Sequence, residues 1–204
     1  MTRIKTVVFD LGGVLIDWDP RHLYRTMFDG HDAAMEHFLA DICSPEWNAT
    51  LDAGRPWAEA VETLSRQHPR YRKQITAFRL RWSEMLGGAI QGTVDILAEL
   101  RARGVPLYAL SNWSGETFPV ALVRYDFLTW FQEIVISGEL GITKPDPRIF
   151  EHLLGLHGIT AASTVFIDDM PVNVAGAQAV GITGLLYRDP ARLRKDLVRL
   201  RLLD

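Results

Sequence analysis

Short apolar runs alternate along the chain with longer amphipathic stretches. Five of the runs are rich in β-branched and aromatic residues and predict buried strands, at residues 4–9, 105–110, 134–136, 164–167 and 184–187. Apolar residues at helical spacing follow three of these runs and predict helices at residues 93–103, 147–156 and 172–180. Strands that alternate with helices in this way are typical of an α/β fold, in which helices cover a parallel sheet.

One long segment, residues 17–88, breaks this alternation. Its apolar positions predict no convincing strand but four helices, at residues 21–28, 33–42, 57–67 and 71–85. We therefore expect a core formed by residues 1–16 and 89–204 and a helical insert formed by residues 17–88, with Gly87 and Gly88 as its return hinge. Four tryptophans are expected in the core of the insert: Trp18, Trp47, Trp57 and Trp82.

Composition narrows the class of protein. The 204 residues are 48% hydrophobic and carry 22 basic and 25 acidic side chains. The resulting net charge of -3 produces no overall positive field that would attract a polyanion. The basic residues at 192–201 have the spacing of a solvated helix face, so we expect neither a nucleic-acid nor a membrane partner. Cys43 is the single cysteine, and no apolar run reaches the roughly 18 residues of a membrane span. We expect a cytoplasmic protein, either a monomer or a homodimer.

Polar residues follow the predicted strands at the points where the strands end. Asp10 follows the first strand, Ser111 and Asn112 follow the second, and Asp168 and Asp169 follow the fourth. In open parallel sheets ligands bind beyond the carboxyl ends of the strands, so these side chains are expected to meet at one edge of the sheet.

Lys144 lies shortly after the third strand. Asp146 and Pro147 have the residue types of the N-cap and first position of the next helix, which would anchor the backbone of the lysine. Trp113, directly after the second strand, is expected to line the site together with Asn112.

Three carboxylates at one sheet edge would repel one another unless a positive charge lies among them. Oxygen ligands without cysteine or paired histidine favour Mg²⁺ over Zn²⁺, and Mg²⁺ commonly takes its last ligands from a substrate phosphate. The pattern therefore predicts a small phosphorylated substrate. Lys144 and the Ser111 hydroxyl could neutralise phosphoryl oxygens, and an aspartate nucleophile would form an acyl phosphate.

Four motifs in this order resemble those of the haloacid dehalogenase superfamily. They are Val-Val-Phe-Asp-Leu-Gly-Gly-Val-Leu around Asp10, Leu-Ser-Asn at 110–112, Lys144-Pro145, and Phe-Ile-Asp-Asp at 166–169. The resemblance covers the whole chain and implies a Rossmann-like three-layer α/β/α core with a helical cap inserted after the first motif. The doubled acid and the cap position are similar to the branch with small sugar-phosphate phosphatases and the phosphatase domain of soluble epoxide hydrolase.

The resemblance also implies roles for the residues of the first and fourth motifs. Asp10 would be the nucleophile, and Mg²⁺ would be held by Asp10, Asp169 and the Gly12 carbonyl, with Asp168 acting through metal-bound waters. One departure matters. Phosphatases of this superfamily usually carry a second aspartate, the general acid and base, two residues after the nucleophile, where this chain has Gly12. Loss of such a group slows an enzyme about 10²- to 10⁴-fold.

Three candidates remain for the missing acid and base: Asp17, Asp19 or a bound water. Three functions also remain open. The first is a Mg²⁺-dependent phosphatase acting on a sugar phosphate or similar metabolite. The second is a dehalogenase, although its carboxylate substrate would be repelled by Asp168 and Asp169 without a metal. The third is a weakly catalytic protein that binds phosphorylated ligands.

Overall fold

The computed structural model describes residues 3–156 and 158–204. Met1 and Thr2, the start of the predicted core segment 1–16, lie outside the described residues, as does His157. The strands are β1 Thr6–Phe9, β2 Ile16–Trp18, β3 Leu86–Ala89, β4 Leu107–Ser111, β5 Glu133–Ile136, β6 Thr164–Asp168 and β7 Thr183–Leu186. The α-helices are α1 Arg21–Met27, α2 Asp32–Asp41, α3 Pro45–Asp52, α4 Trp57–Gln67, α5 Arg72–Leu80, α6 Gln91–Ala102, α7 Phe118–Arg124, α8 Ser137–Leu140, α9 Pro147–Leu156, α10 Pro171–Ala179 and α11 Pro190–Arg199.

A parallel sheet forms the centre of the core, with strand order β5-β4-β1-β6-β7. Side chains alternate between its faces, and both faces are buried. Val8 and Phe166 pack with the buried residues of α9 and α10, whereas Val7 belongs to the hydrophobic cluster that includes those of α6 and α11. A sheet covered on both faces needs continuously apolar strands, which explains the runs in the sequence. The predicted Rossmann-like α/β fold is confirmed.

The strand register brings the predicted site residues to one edge. Phe9 of β1 lies opposite Ala109 of β4 and Ile167 of β6. The following residues, Asp10 and Asp168 among them, therefore leave the sheet side by side. The connections reverse direction at β1, and such a switch point opens the crevice in which α/β proteins bind ligands.

The insert differs from its prediction in two respects. β2 and β3 form an antiparallel ribbon that pairs Asp17 with Gly88, so the expectation of no strand in this segment is wrong. The sequence Leu-Gly-Gly-Ala of β3 carries no period-two apolar pattern, and Gly87 and Gly88 lie within this strand. The predicted limits of the insert, 17 and 88, fall in this ribbon, and the division into domains stays a prediction.

The second difference is the helix α3. Ser44 caps it by accepting a hydrogen bond of 3.2 Å from the Trp47 backbone N–H, and Pro45 occupies the first helical turn. This start signal is present in the sequence, but none of the predicted helices includes residues 45–52. None of the helices described is both long enough and apolar enough to span a membrane.

Candidate active site

Asp10 is held in one orientation at the end of β1. Its Oδ1 accepts hydrogen bonds from the Leu11 backbone N–H and the Ser111 hydroxyl, each at 2.7 Å. The side chain is nearly buried, and its Oδ2 lies 3.0 Å from Lys144 Nζ. A carboxylate fixed by two donors on one oxygen presents the other oxygen in a defined direction.

Lys144 joins the carboxylates of two strands. Its side chain is 1% exposed, and Nζ lies 2.7 Å from Asp168 Oδ2 and donates to the Leu110 carbonyl at 2.9 Å. The predicted anchor of its backbone is present, because Asp146 accepts a hydrogen bond from the Arg148 N–H at the start of α9. The ammonium group is thus positioned by the interior of the protein.

The Asn112 side chain performs a task that the sequence did not indicate. Its Nδ2 donates to the Lys144 carbonyl at 3.0 Å, and its Oδ1 accepts from the Lys144 N–H at 2.8 Å. Both ends of the amide therefore hold the backbone of the lysine. Asn112 was expected to contact the substrate; it does line the cavity described below, but its hydrogen bonds point to a role in positioning Lys144.

The two carboxylates of the fourth motif, Asp168 and Asp169, lie in different surroundings. Asp168 is fully buried, and it accepts hydrogen bonds from the Met170 N–H at 2.8 Å and from Asn173 Nδ2 at 3.1 Å. Asp169 is half-buried and lies against the loop after β1, since a Cβ placed on Gly13 would be 2.6 Å from Asp169 Oδ2.

Burial and mutual repulsion shape the charges of this cluster. Burial is the largest influence on Asp10 and raises its pKa to about 7, although Lys144 opposes the rise. Burial, followed by the charge of Asp168, also raises the pKa of Asp169. Burial alone would lower the pKa of Lys144, but Asp10 and Asp168 outweigh it and the net change is upward. The cluster carries more potential negative charge than the single ammonium neutralises.

This surplus fits a divalent cation. The carboxylates of Asp10, Asp168 and Asp169 each place an oxygen within 4.8 Å of the others. All the donors are hard oxygen atoms, the set that Mg²⁺ prefers to nitrogen or sulfur ligands. The described residues of the site can therefore hold a metal ion.

A cavity of about 70 Å³ lies beside the cluster. It is lined by Gly12, Asn112, Trp113 and Thr117 of the core and by Trp18, Asn48, Asp52 and Trp82 of the insert. Trp113 lines the site as predicted. The four tryptophans of the insert belong to the hydrophobic core as expected: Trp57 and Trp82 are buried in it, and Trp18 and Trp47 pack against it. Trp18 and Trp82 also line the cavity.

The sequence did not indicate three residues of the cavity, Asn48, Asp52 and Thr117, and Asp52, at the end of α3, is the ionisable one. Burial, followed by the nearby charge of Asp10, raises the pKa of Asp52 to about 7. Its Oδ2 accepts a hydrogen bond from Asn48 Nδ2 at 2.9 Å. The cap signal Ser-Pro-Glu at residues 44–46 could have revealed the helix, but no local pattern indicates that its last residue approaches the end of β1.

The two aspartates proposed from the sequence as acid and base lie elsewhere. Asp17 Oδ2 is 3.0 Å from His22 Nε2, and its side chain is half-exposed. Asp19 accepts from the Arg21 N–H at 2.9 Å at the start of α1. Neither is among the residues that line the cavity, so the structure does not support this hypothesis for either residue.

Comparison with known proteins agrees with this geometry. A family model of haloacid dehalogenase-like hydrolases matches residues 4–181. The chain therefore belongs to this family, as its four motifs predicted, and it is a hydrolase of the haloacid dehalogenase type.

Its relatives include several phosphatases. The chain is 30% identical over 189 residues to a sesquiterpene phosphatase of Aspergillus oryzae, with 92% of each chain covered. It is 27% identical over 202 residues to a phosphoglycolate phosphatase of Cupriavidus necator, covering 89% of this chain and 80% of the relative.

The fold also matches solved structures. A haloacid dehalogenase family enzyme of Bacteroides thetaiotaomicron, solved with magnesium and inorganic phosphate, superposes with a TM-score of 0.69 at 26% identity, covering 91% of this chain and 95% of that one. A predicted hydrolase of Porphyromonas gingivalis gives a TM-score of 0.74 at 24% identity over 98% of both chains, a likeness of fold.

Proposed function

We propose that this protein is a Mg²⁺-dependent phosphomonoester hydrolase that acts on a small phosphorylated metabolite through an aspartyl-phosphate on Asp10. The proposal rests on one observation. The carboxylates of Asp10, Asp168 and Asp169 lie close together at the point where the connections of the sheet reverse, and the Lys144 ammonium group pairs with two of them. The phosphatase relatives and the magnesium and phosphate in the Bacteroides enzyme support it. Cytoplasmic location and a monomeric or homodimeric state stay predictions.

In this proposal Asp10 is the nucleophile, and the residues around it orient it and neutralise charge. Asp10 attacks phosphorus, and Ser111 and the Leu11 N–H hold its other oxygen so that the attacking one is oriented. Lys144 neutralises charge on the phosphoryl oxygens as well as on Asp10.

The metal ligands proposed are Asp10, Asp169 and the Gly12 carbonyl, with Asp168 acting through metal-bound waters. Mg²⁺ would neutralise phosphoryl oxygen charge and orient the phosphate for in-line attack. Asp168 also keeps Lys144 in place, since its Oδ2 pairs with Nζ.

The cavity limits the group that the phosphate carries. Its volume of about 70 Å³ suits a small organic group, unless the insert moves away from the core. Indole faces of Trp18, Trp82 and Trp113 offer apolar surface, and Asn48 and Thr117 offer hydrogen-bonding groups. We propose a sugar phosphate or a metabolite of similar size, and the relative that acts on a sesquiterpene makes isoprenoid monophosphates worth testing beside it.

The test is phosphate release from a panel of sugar phosphates, isoprenoid monophosphates and p-nitrophenyl phosphate, with Mg²⁺ or with EDTA. We expect release that requires Mg²⁺ and that Asp10→Asn abolishes. Asp95→Asn, an isosteric change at an exposed position of α6, is the matched control and should keep the wild-type rate. Halide release from 2-haloacids without Mg²⁺, or binding of phosphate esters without turnover, would overturn the proposal.

A further inference from the structure

The proposed chemistry needs a proton donor that the first motif lacks. The leaving oxygen of an alkyl phosphate departs slowly as an alkoxide, and the phosphoenzyme then needs an activated water. Gly12 supplies no side chain for either task. Among the described residues that line the cavity, Asp52 is the carboxylic acid, and it lies there together with Gly12.

We propose that Asp52, contributed by the helical insert, is the general acid and general base of this enzyme. The inference rests on the proposed phosphatase function and adds a catalytic residue to it. The acid thus comes from the insert instead of the strand end that bears the nucleophile.

Asp52 is tied to the core on several sides. The carboxyl group accepts a hydrogen bond from Asn48 Nδ2, and the nearby Ser114 backbone N–H lowers the pKa of the group. Its carbonyl accepts from Ser137 Oγ at 2.6 Å, and Trp57 Nε1 donates to Ser114 Oγ at 2.7 Å. These bonds fix the end of α3 against the loop after β4, as preorganised catalysis requires.

The backbones of the insert and of the core also lie close together. Gly54, two residues after Asp52, has a φ of 91°, and a Cβ there would lie 2.9 Å from the Gly138 carbonyl oxygen. A Cβ on Gly138 would in turn lie 2.7 Å from the Gly115 nitrogen. Glycine at these positions lets α3 end directly over the site.

The charged groups around Asp52 suit a proton carrier. Asp10 from β1 and Lys144 from the loop before α9 act on it in opposite directions, and burial raises its pKa to about 7. The carboxylates of Glu116 and Glu139, on the neighbouring core segments, are exposed to solvent. A carboxyl group with a pKa near neutrality can both give and accept a proton at physiological pH.

Asp52 acts as an acid in the first step and as a base in the second. Asp10 carboxylate attacks phosphorus, the phosphorus–oxygen bond to the leaving group breaks, and the Asp52 carboxyl proton passes to that oxygen to give the alcohol. The Asp52 carboxylate then takes a proton from water while the hydroxide joins phosphorus and the bond between phosphorus and the Asp10 oxygen breaks, which restores the Asp10 carboxylate. Inorganic phosphate leaves, and both aspartates return to their starting states.

The first test compares leaving groups in Asp52→Asn. For alkyl phosphates we expect kcat/KM to fall roughly 10²- to 10⁴-fold, the usual worth of a general acid. For p-nitrophenyl phosphate, whose leaving group needs little protonation, we expect a loss under about tenfold in kcat/KM, with a burst of p-nitrophenol as the phosphoenzyme accumulates. The decline of wild-type kcat/KM above about pH 7 should disappear. Asp95→Asn, which removes an exposed carboxylate bonded to Gln91 Nε2 at 2.8 Å, is the matched control.

The second test asks whether an aspartate at position 12 restores the activity that Asp52→Asn loses. A Cβ on Gly12 would meet no atom within 4 Å, and the backbone there is not left-handed, so a side chain can be added without a clash at Cβ or backbone strain. Gly12→Asp in the Asp52→Asn background should recover at least tenfold of the lost alkyl-phosphate activity. A purely structural role for Asp52 would show no such recovery.

Failure of this inference is distinct from failure of the phosphatase function. If wild type releases phosphate and Asp10→Asn does not, but Asp52→Asn keeps the wild-type leaving-group dependence and pH profile, Asp52 is not the acid. The proposal would also be overturned if Asp17→Asn, and not Asp52→Asn, changed the dependence of kcat/KM on the leaving group and on pH. If Asp52→Asn does not fold, Asn48→Leu removes one donor to the carboxyl and should move the alkaline limb upward in pH; an unmoved limb would count against the proposal.

Discussion

Asp52 provides a stability test that needs no substrate. Its pKa is higher in the folded protein than in the unfolded chain, so the folded state holds the proton more tightly. Unfolding therefore releases a proton as pH rises between the two pKa values, and the folded protein loses stability across this range. Asp52→Asn cannot ionise and should escape this loss.

The magnitude follows from the two pKa values, 3.8 in the unfolded chain and about 7 in the fold. Each tenfold change in proton affinity corresponds to about 1.4 kcal/mol, so wild type should lose roughly 2–3 kcal/mol relative to Asp52→Asn between pH 5 and pH 8. Partial contact with solvent screens the charge, and we expect about 1–2 kcal/mol. A hydrogen bond weakened by the amide costs about 0.5–1.5 kcal/mol at both pH values and cancels in the comparison.

Urea denaturation of both proteins at pH 5 and pH 8, in EDTA, measures this difference. Asp95→Asn serves again as the control, because its carboxylate accepts from Gln91 one helical turn earlier, as Asp52 does from Asn48, but lies in solvent. It should show no comparable change. If the free-energy difference between Asp52→Asn and wild type is the same at both pH values, or moves in favour of wild type at pH 8, the raised pKa is wrong.

Two further predictions concern the lysine and the metal site. Lys144→Met leaves two buried carboxylates without their ammonium group and should lower the free energy of unfolding, measured in urea, by about 3–5 kcal/mol. The control Lys73→Met, at an exposed position, should lower it by under about 0.5 kcal/mol. Equal losses in the two variants would contradict the buried pairing. Gly13→Ala places a Cβ 2.6 Å from Asp169 Oδ2 at a φ of 71°, and should weaken Mg²⁺ binding about 10- to 100-fold by calorimetry. Gly12→Ala meets no atom within 4 Å and should lose far less; similar affinities in both variants would refute this account.

The sequence predicted those parts of the site that follow buried strands. An apolar run that ends in a polar residue reports both a strand and its exit from the sheet, which is why Asp10, Ser111 and Asp168 could be placed together. Each of them sits at a strand end in register with its neighbours.

Residues whose position depends on contacts distant in sequence could not be found this way. Asp52 approaches the site because α3 docks on Ser137 at the start of α8 and on the loop after β4, and no local pattern encodes that docking. The amide of Asn112 could equally have faced a substrate or the backbone of Lys144, and only the three-dimensional arrangement decides. Trp18 and Trp82 belong to the hydrophobic core as expected, but no local pattern shows that they also line the cavity.

The hydrogen bond between Ser111 and Asp10 joins residues 101 positions apart, and Lys144 then reaches Asp168 across a further 24. We predict that the site is completed late in folding, because each loop between its members must close before the carboxylates meet their lysine. A fragment that ends before β6 keeps the Lys144–Asp10 pair but lacks Asp168 and Asp169, two of the three carboxylates of the cluster. Recovery of activity after denaturation should therefore trail the recovery of helical signal, and it reports completion of the whole sheet.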